Sequence, residues 1–305
     1  MPNLTSVLEL HIDLWGFPAE SCLPLIRSIC HNFQKTLRIL CLAGDTDSYR
    51  LLMEDCHLEF DTLTEVHFEL ASSASRMQAS EADSKILRDV VAPFIGRHAP
   101  SLEVFRNWCW AEVDVSDFYA YLAQVDFQKL TTIRIGTAFN KLTHDPTTLK
   151  SFIRRNSKTL TRLELRLKPD RAQLDPSVET PLGEWLIDFV GEGIYFPKLQ
   201  TLEIYPTNTD NGYRALLVLI QHTSATLRDL VIRDRYFTPP QAKEVIDATA
   251  QTRLRFFRMG AEQLDLELFD LIARRQEEIH RLWLTVSATV GDGEVRFGNP
   301  SGALS

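Results

Sequence analysis

The sequence predicts an α/β solenoid, in which short parallel strands alternate with helical returns. Three observations carry this. The phrase Lys198-Leu199-Gln200-Thr201-Leu202-Glu203-Ile204 has the form L-x-x-L-x-L with an apolar third position, and the frame recurs at ten places. Frame starts lie 30, 26, 39, 28, 30, 39, 28, 27 and 25 residues apart, and most of these intervals suit one strand plus one helix. Between the frames, apolar residues recur at helical spacing.

The frames are Val7-Leu10-Ile12, Leu37-Leu40-Leu42, Leu63-Val66-Phe68, Leu102-Phe105-Asn107 and Leu130-Ile133-Ile135. They continue as Leu160-Leu163-Leu165, Leu199-Leu202-Ile204, Leu227-Leu230-Ile232, Leu254-Phe257-Met259 and Ile279-Leu282-Leu284. Only Asn107 breaks the apolar rule. Near the start, Cys22, Leu25, Ile26, Ile29, Cys30 and Phe33 make one helical face. Ile86, Val90, Val91 and Phe94 make another, and Phe118, Tyr121, Leu122 and Val125 a third. Asp145-Pro146 is a cap with proline at the first helical position, followed by Leu149, Phe152 and Ile153. Tyr213, Leu216, Leu217 and Ile220 mark a further helix. Thr238-Pro239-Pro240-Gln241 is a capping box ahead of Ala242, Val245 and Ile246.

Strand, helix, strand at this period predicts a parallel sheet with right-handed crossovers. With every helix on one side the array should curve, strands inside and helices outside. Each repeat buries its leucines against its own helix and its neighbours, so none is stable alone. Length alone would suggest two domains, but a repeat array escapes that rule. Residues 1–290 therefore read as one solenoid of about ten irregular repeats.

Both 39-residue intervals carry insertions, roughly Ala71 to Ser84 and Pro169 to Pro181. They leave the C-terminal ends of strands and read as loops, or as a pair of flaps over a partner. Residues 291–305 read as a capping turn and tail. Leu282 to Val286, Gly291-Asp292-Gly293 and Glu294 to Phe297 spell strand, turn and short strand, which could close the last sheet edge. Gly298 to Ser305 should fray.

Leu160-Thr161-Arg162-Leu163-Glu164-Leu165 and Leu199-Gln200-Thr201-Leu202-Glu203-Ile204 resemble the phrases of the leucine-rich-repeat superfamily. Helix-containing repeats of about 25 to 30 residues look most like its ribonuclease-inhibitor and F-box-associated types. The resemblance covers nearly the whole chain at the level of the repeat. It implies a curved leucine-rich-repeat solenoid that binds a protein on its concave face and has no enzymatic activity. It further implies a substrate-recognition part of an F-box-type ubiquitin ligase, or else a freestanding scaffold or regulator with no ligase link.

Two features depart from the family. Its loops usually carry Asn or Cys that bonds neighbouring loop backbones; here those places hold Trp15, Asp45, Ala71, Trp110, Ala138, Lys168, Thr207, Arg235, Glu262 and Ser287. No side-chain ladder is expected from that set. No helical F-box segment fits before Val7, so a Skp1-like adaptor is expected only if an F-box lies upstream.

Net charge is −8, which argues against nucleic acid and acidic membrane as partners. No apolar run reaches the roughly 18 residues of a membrane span. The N-terminus lacks the basic and apolar segments of a signal peptide. Five cysteines without CxxC spacing fit reduced, mostly buried thiols, hence a cytoplasmic or nuclear protein.

Strand side chains alternate, so residues between the apolar positions should line the concave sheet. The central column reads His11, Cys41, His67, Arg106, Arg134, Glu164, Glu203, Val231, Arg258, Trp283. Acids and histidines dominate its first third; arginines and aromatics dominate the rest. Arginine with exposed aromatics is hot-spot composition, and guanidinium forks suit carboxylate or phosphate. The candidate partner-binding set is Arg106, Trp108, Arg134, Arg162, Glu164, Tyr205, Arg233, Phe256, Arg258, Arg281 and Trp283. An acidic or phosphorylated protein surface is the expected partner. The plainer reading is a solvated face whose charges pair across strands, Arg162 with Glu203 or Glu164 with Arg134.

No cofactor or metal is expected. His11 and His67 lie two strands apart, roughly 10 Å, too far for one ion unaided. No G-x-S-x-G occurs, and Gly291-Asp292-Gly293 opens no helix, so neither a nucleophile elbow nor a phosphate loop is read. Trp108-Cys109-Trp110 follows the irregular frame, where a bent strand edge could form a notch.

Overall fold

Leu163, Leu202 and Leu230 lie side by side on adjacent parallel strands, each fully buried. This is the stacking that the repeat requires. The computed structural model of the chain describes residues 6–14, 19–55, 58–70, 81–109, 113–139, 145–168, 181–191, 195–206, 209–291 and 294–297. The chain divides into two units, Met1–Leu160 and Thr161–Ser305. Each is a run of strand-helix repeats of the leucine-rich-repeat solenoid class.

In the first unit, the strands are β1 (Glu9–Asp13), β2 (Ile39–Gly44), β3 (Glu65–Leu70), β4 (Val104–Cys109) and β5 (Thr132–Ala138). They pair in chain order, all parallel. The helices are α1 (Ala19–Phe33), α2 (Thr46–Arg50), α3 (Glu81–Ile86), α4 (Ala92–His98), α5 (Ser116–Leu122) and α6 (Thr147–Asn156). A π-helical turn, Leu87–Val91, joins α3 to α4. Pro93 follows it, and a proline has no N–H to continue the α-helical ladder.

In the second unit, β6 (Arg162–Lys168), β7 (Thr201–Ile204), β8 (Asp229–Phe237), β9 (Phe256–Leu264) and β10 (Arg281–Gly291) are parallel. β11 (Glu294–Phe297) runs antiparallel against β10. The helices are α7 (Pro181–Gly191), α8 (Asp210–Thr223), α9 (Pro239–Ala248) and α10 (Leu266–Arg275). The Thr238 capping box holds as read, with both reciprocal bonds to Gln241 present. Helices α2, α7 and α10 were not read in the sequence, although α7 carries Leu182, Trp185, Leu186, Phe189 and Val190 at the spacing of one buried helical face. No helix among the described residues is long and apolar enough to cross a membrane.

The eight internal frames bury all three positions; Val7-Leu10-Ile12 and Ile279-Leu282-Leu284 are only half-buried. Among the described residues β1 pairs on one side only, with β2, and the first part of β10 pairs only with β9, so these frames have one covering neighbour instead of two. Leu25, placed on the core face of α1 by its spacing, is exposed instead. Helix aromatics fill the space over the strands. Phe105 meets Phe118 and Phe152, and Phe68 meets Tyr49 and Phe94.

A side-chain ladder does exist, at a different place from the one where it was sought. The hydroxyls of Thr36, Thr62, Ser101 and Thr159 each precede a frame. They donate to the carbonyls of Val7, Leu37, Leu63 and Leu130 at 3.1, 2.9, 2.7 and 2.7 Å. Every one reaches the first position of the preceding frame, and so ties a part-buried carbonyl there. Two of the loop positions also reach a neighbour: Arg235 Nη1 donates to Thr209 O and Ser287 Oγ to Glu262 O.

Asn107 does not bend its strand. β4 keeps regular register with both neighbours, and Asn107 Nδ2 donates to the buried Tyr119 hydroxyl at 2.9 Å. The notch expected beside it is therefore not formed within β4; Trp110 lies outside the described residues. Tyr119→Phe should cost about 1–2 kcal/mol, because the amide is left unpaired. Adding Asn107→Leu should recover most of that loss in urea denaturation, since both polar partners are then gone.

Both insertions lie largely outside the described residues. Glu81 to Ser84 and Pro181 prove to be the first residues of α3 and α7. None of the described cysteines forms a disulfide; Cys30 and Cys109 are buried, while Cys22 and Cys41 are only half-buried.

Candidate protein-binding face

The strand residues that alternate with the buried frame make the open face of each sheet. In the first unit His11, Cys41, His67, Arg106 and Arg134 stand in one register row across β1 to β5. In the second, Glu164, Glu203, Val231, Arg258 and Trp283 do the same across β6 to β10. The regular phase of the frame makes these rows, because a one-residue slip would expose the leucines.

In the first unit, the Arg106 guanidinium lies 3.6 Å from the Trp108 ring centroid. Trp108 is paired in register with Gly136, and Arg106 with Arg134. At the other end of the row, Cys41 Sγ lies 3.2 Å from His67 Nδ1, and His67 Nε2 lies 3.6 Å from Glu65 Oε2. Glu9 Oε1 lies 2.7 Å from His11 Nε2. A cleft of about 310 Å³ opens over His11, Cys41 and His67, with Asp13, Glu69 and Arg106 on its wall. Burial, with Glu9 nearby, pushes the Cys41 thiol up to about 11. Burial, reinforced by Arg106 and Arg134, pushes His67 down to about 4. The pair is thus a neutral thiol donating to a neutral imidazole, not an activated thiolate. The sequence contained this cluster as consecutive members of one column; its signal was the order His11, Cys41, His67.

In the second unit, two predicted contact residues lie beneath the surface. Glu164 is fully buried and Tyr205 nearly so. Arg166 lies against Glu164 Oε1 and reaches Glu203 Oε1 through Nη2 at 3.1 Å. Arg233 Nε also contacts Glu203, and Arg162 Nη2 lies 3.7 Å from Glu164 Oε2. Arg162 is therefore held by a carboxylate of its own strand rather than by Glu203. Arg166, placed by the strand alternation on the same face beside the central column, was not in the candidate set; its i+2 spacing from Glu164 was the available signal for the pairing.

Four predicted residues come together on β9 and β10. Arg258 pairs in register with Trp283, and Phe256 with Arg281. The Arg258 guanidinium lies 4.0 Å from the Trp283 ring centroid, and that of Arg281 lies 5.4 Å from the Phe256 ring centroid. Trp283 is 53% exposed. Neither arginine has a carboxylate ion-pair partner among the described residues. Burial lowers the pKa of Arg258, with Arg233 adding to the shift.

No protein-family model matches the chain, and no curated protein matches it. Among solved structures, a chain in the crystal structure of the yeast Rad7 and Elc1 complex is similar at 15% identity and a TM-score of 0.48. The match covers 90% of this chain and 68% of that one.

Proposed function

We propose that this chain is a protein-binding module without enzymatic activity, and that β9 and β10 present its contact patch. The observation that carries this is the block of Arg258, Trp283, Phe256 and Arg281. Two guanidinium groups rest on two aromatic rings, and the indole is open to solvent. Stacking orders the long arginine side chains in advance, so less entropy is lost on binding. Neither arginine is ion-paired to a carboxylate among the described residues, Glu203 acting on Arg258 only at longer range, so the complement is an acidic or phosphorylated segment of another protein. Arg162 and Arg233 contribute less, because buried Glu164 and Glu203 already engage them. Arg106, stacked on Trp108, and its register partner Arg134 make a second basic patch in the first unit and belong to the same proposal.

Affinity purification from cell extract with wild type and with the Arg258→Glu/Arg281→Glu variant tests this. Proteins captured by wild type should be lost with the variant. Their affinity in titration should fall by at least about 30-fold, as for loss of a hot spot worth about 2 kcal/mol. Melting temperature should be unchanged. Unaltered capture would refute the patch. A Skp1-like adaptor among the captured proteins would select the ubiquitin-ligase reading; its absence would leave the scaffold or regulator.

A further inference from the structure

We propose that Glu9, His11, Cys41 and His67 on the open face of the first unit bind a zinc-class divalent ion. Distance between the two histidines argued against a metal in the sequence, but Cys41 stands between them on β2. Neighbouring parallel strands are about 4.8 Å apart, so three register partners bring their side-chain tips within reach of one ion. The donor atoms of Glu9, His11 and Cys41 all lie within 4.8 Å of one another, and His67 Nδ1 is 3.2 Å from the Cys41 sulfur. Tetrahedral zinc, with bonds of about 2.3 Å to sulfur and about 2.0 Å to nitrogen, sets such donors about 3.5 Å apart. Glu9, His11 and Cys41 already form a compact set, and His67, adjacent to the sulfur but outside that set, must close toward it to supply the fourth ligand.

The ligand chemistry fits. Thiolate, imidazole and carboxylate are zinc's own donors, and one thiolate with one carboxylate balances a divalent charge. Binding replaces the thiol proton, which leaves to solvent as the S–metal bond forms. Arg106 lines the same cleft and opposes a cation, but its guanidinium lies over the Trp108 ring. The outer shell is prepared as well. His67 Nε2 is buried without a hydrogen-bond partner, and the Glu65 carboxylate stands 3.6 Å from it. A metal on Nδ1 would draw Nε2–H toward Glu65, the carboxylate-histidine-metal arrangement that orients ligating imidazoles.

Cobalt(II) titrated into the reduced, chelator-stripped full chain tests the site. Wild type should show tetrahedral ligand-field bands and a thiolate-to-cobalt charge-transfer band, and zinc should displace both. Cys41→Ser should abolish the charge-transfer band, whereas Cys22→Ser should retain it. Glu65→Gln should weaken binding about 10- to 100-fold. Zinc should also protect Cys41 of wild type from iodoacetamide, a readout that needs no variant to fold. A wild type without the charge-transfer band, a band that survives Cys41→Ser, or alkylation unaffected by zinc would each overturn the proposal.

Discussion

Replacing Arg166 with methionine will destabilise the protein by about 3–5 kcal/mol, read as a lower urea midpoint for the second unit. Glu164 and Glu203 are register partners on neighbouring strands, and both are buried. Like charges directly opposite one another repel, and burial denies them water. Arg166 lies against both carboxylates and is itself four-fifths buried, with 19% of its side chain exposed. Arg233 would remain on Glu203 and Arg162 near Glu164, which keeps the loss below that of two bare buried charges. Methionine matches the length of the arginine stem, so packing changes little and the lost charge dominates. Adding Glu164→Gln and Glu203→Gln to the variant should restore most of the stability, because the repulsion then disappears. If the single variant melts like wild type, the carboxylates are not held by Arg166 and the account of this face is wrong.

That result bears on what a single sequence can reveal. The frame made the rungs legible because one constraint, burial of Leu163, Leu202, Leu230 and their counterparts, acts on every repeat in the same phase. The open-face rows follow from that phase at no further cost in information. Which charges meet within a row does not follow. Glu164 could have faced any arginine within a strand or two, and side-chain rotation chose Arg166. Asn107 looked like a defect because its partner, Tyr119, belongs to the helix that follows and carries no mark of pairing. The hydroxyl ladder was written plainly, as Thr36, Thr62, Ser101 and Thr159 each standing before a frame. It was missed because the ladder was sought at the loop positions where the resembled family keeps Asn. The cluster of His11, Cys41 and His67 was missed for a similar reason: the two histidines were measured against each other, past the cysteine between them. Helix α2 shows the other limit, since five residues are too few to display a periodic face. Helices α7 and α10 carried readable apolar spacing, Leu182, Trp185, Leu186, Phe189 and Val190 in the first and Leu268 and Ile272 in the second, and went unread.

Gly260→Ala is expected to be the other strongly damaging change, costing about 3 kcal/mol or more through backbone overpacking. Between β8 and β9 the register runs from Val231 opposite Arg258 to Tyr236 opposite Gly260. Five steps on one strand thus match two on the other, and the surplus forms a bulge. Asp234 lies in that bulge with φ 56°, the left-handed region that a non-glycine residue seldom adopts. The bulge turns Arg235 inward, where Nη1 donates to Thr209 O at 2.8 Å and the guanidinium lies 4.9 Å from the Tyr213 ring centroid. Its closing contact is at Gly260, where an added Cβ would stand 2.3 Å from Arg235 O. That neighbour is main chain and cannot swing aside, so either β9 moves or the bulge opens. Gly191 is the matched control: among the described residues a Cβ there meets nothing within 4 Å. Gly191→Ala should therefore stay within about 0.5 kcal/mol of wild type. Because Arg258 lies two residues before Gly260 on β9, a displaced strand should also shift the stacked arginine patch. Gly260→Ala is then expected to weaken partner capture as well as stability, in contrast to the charge-reversal variant, which should affect capture alone.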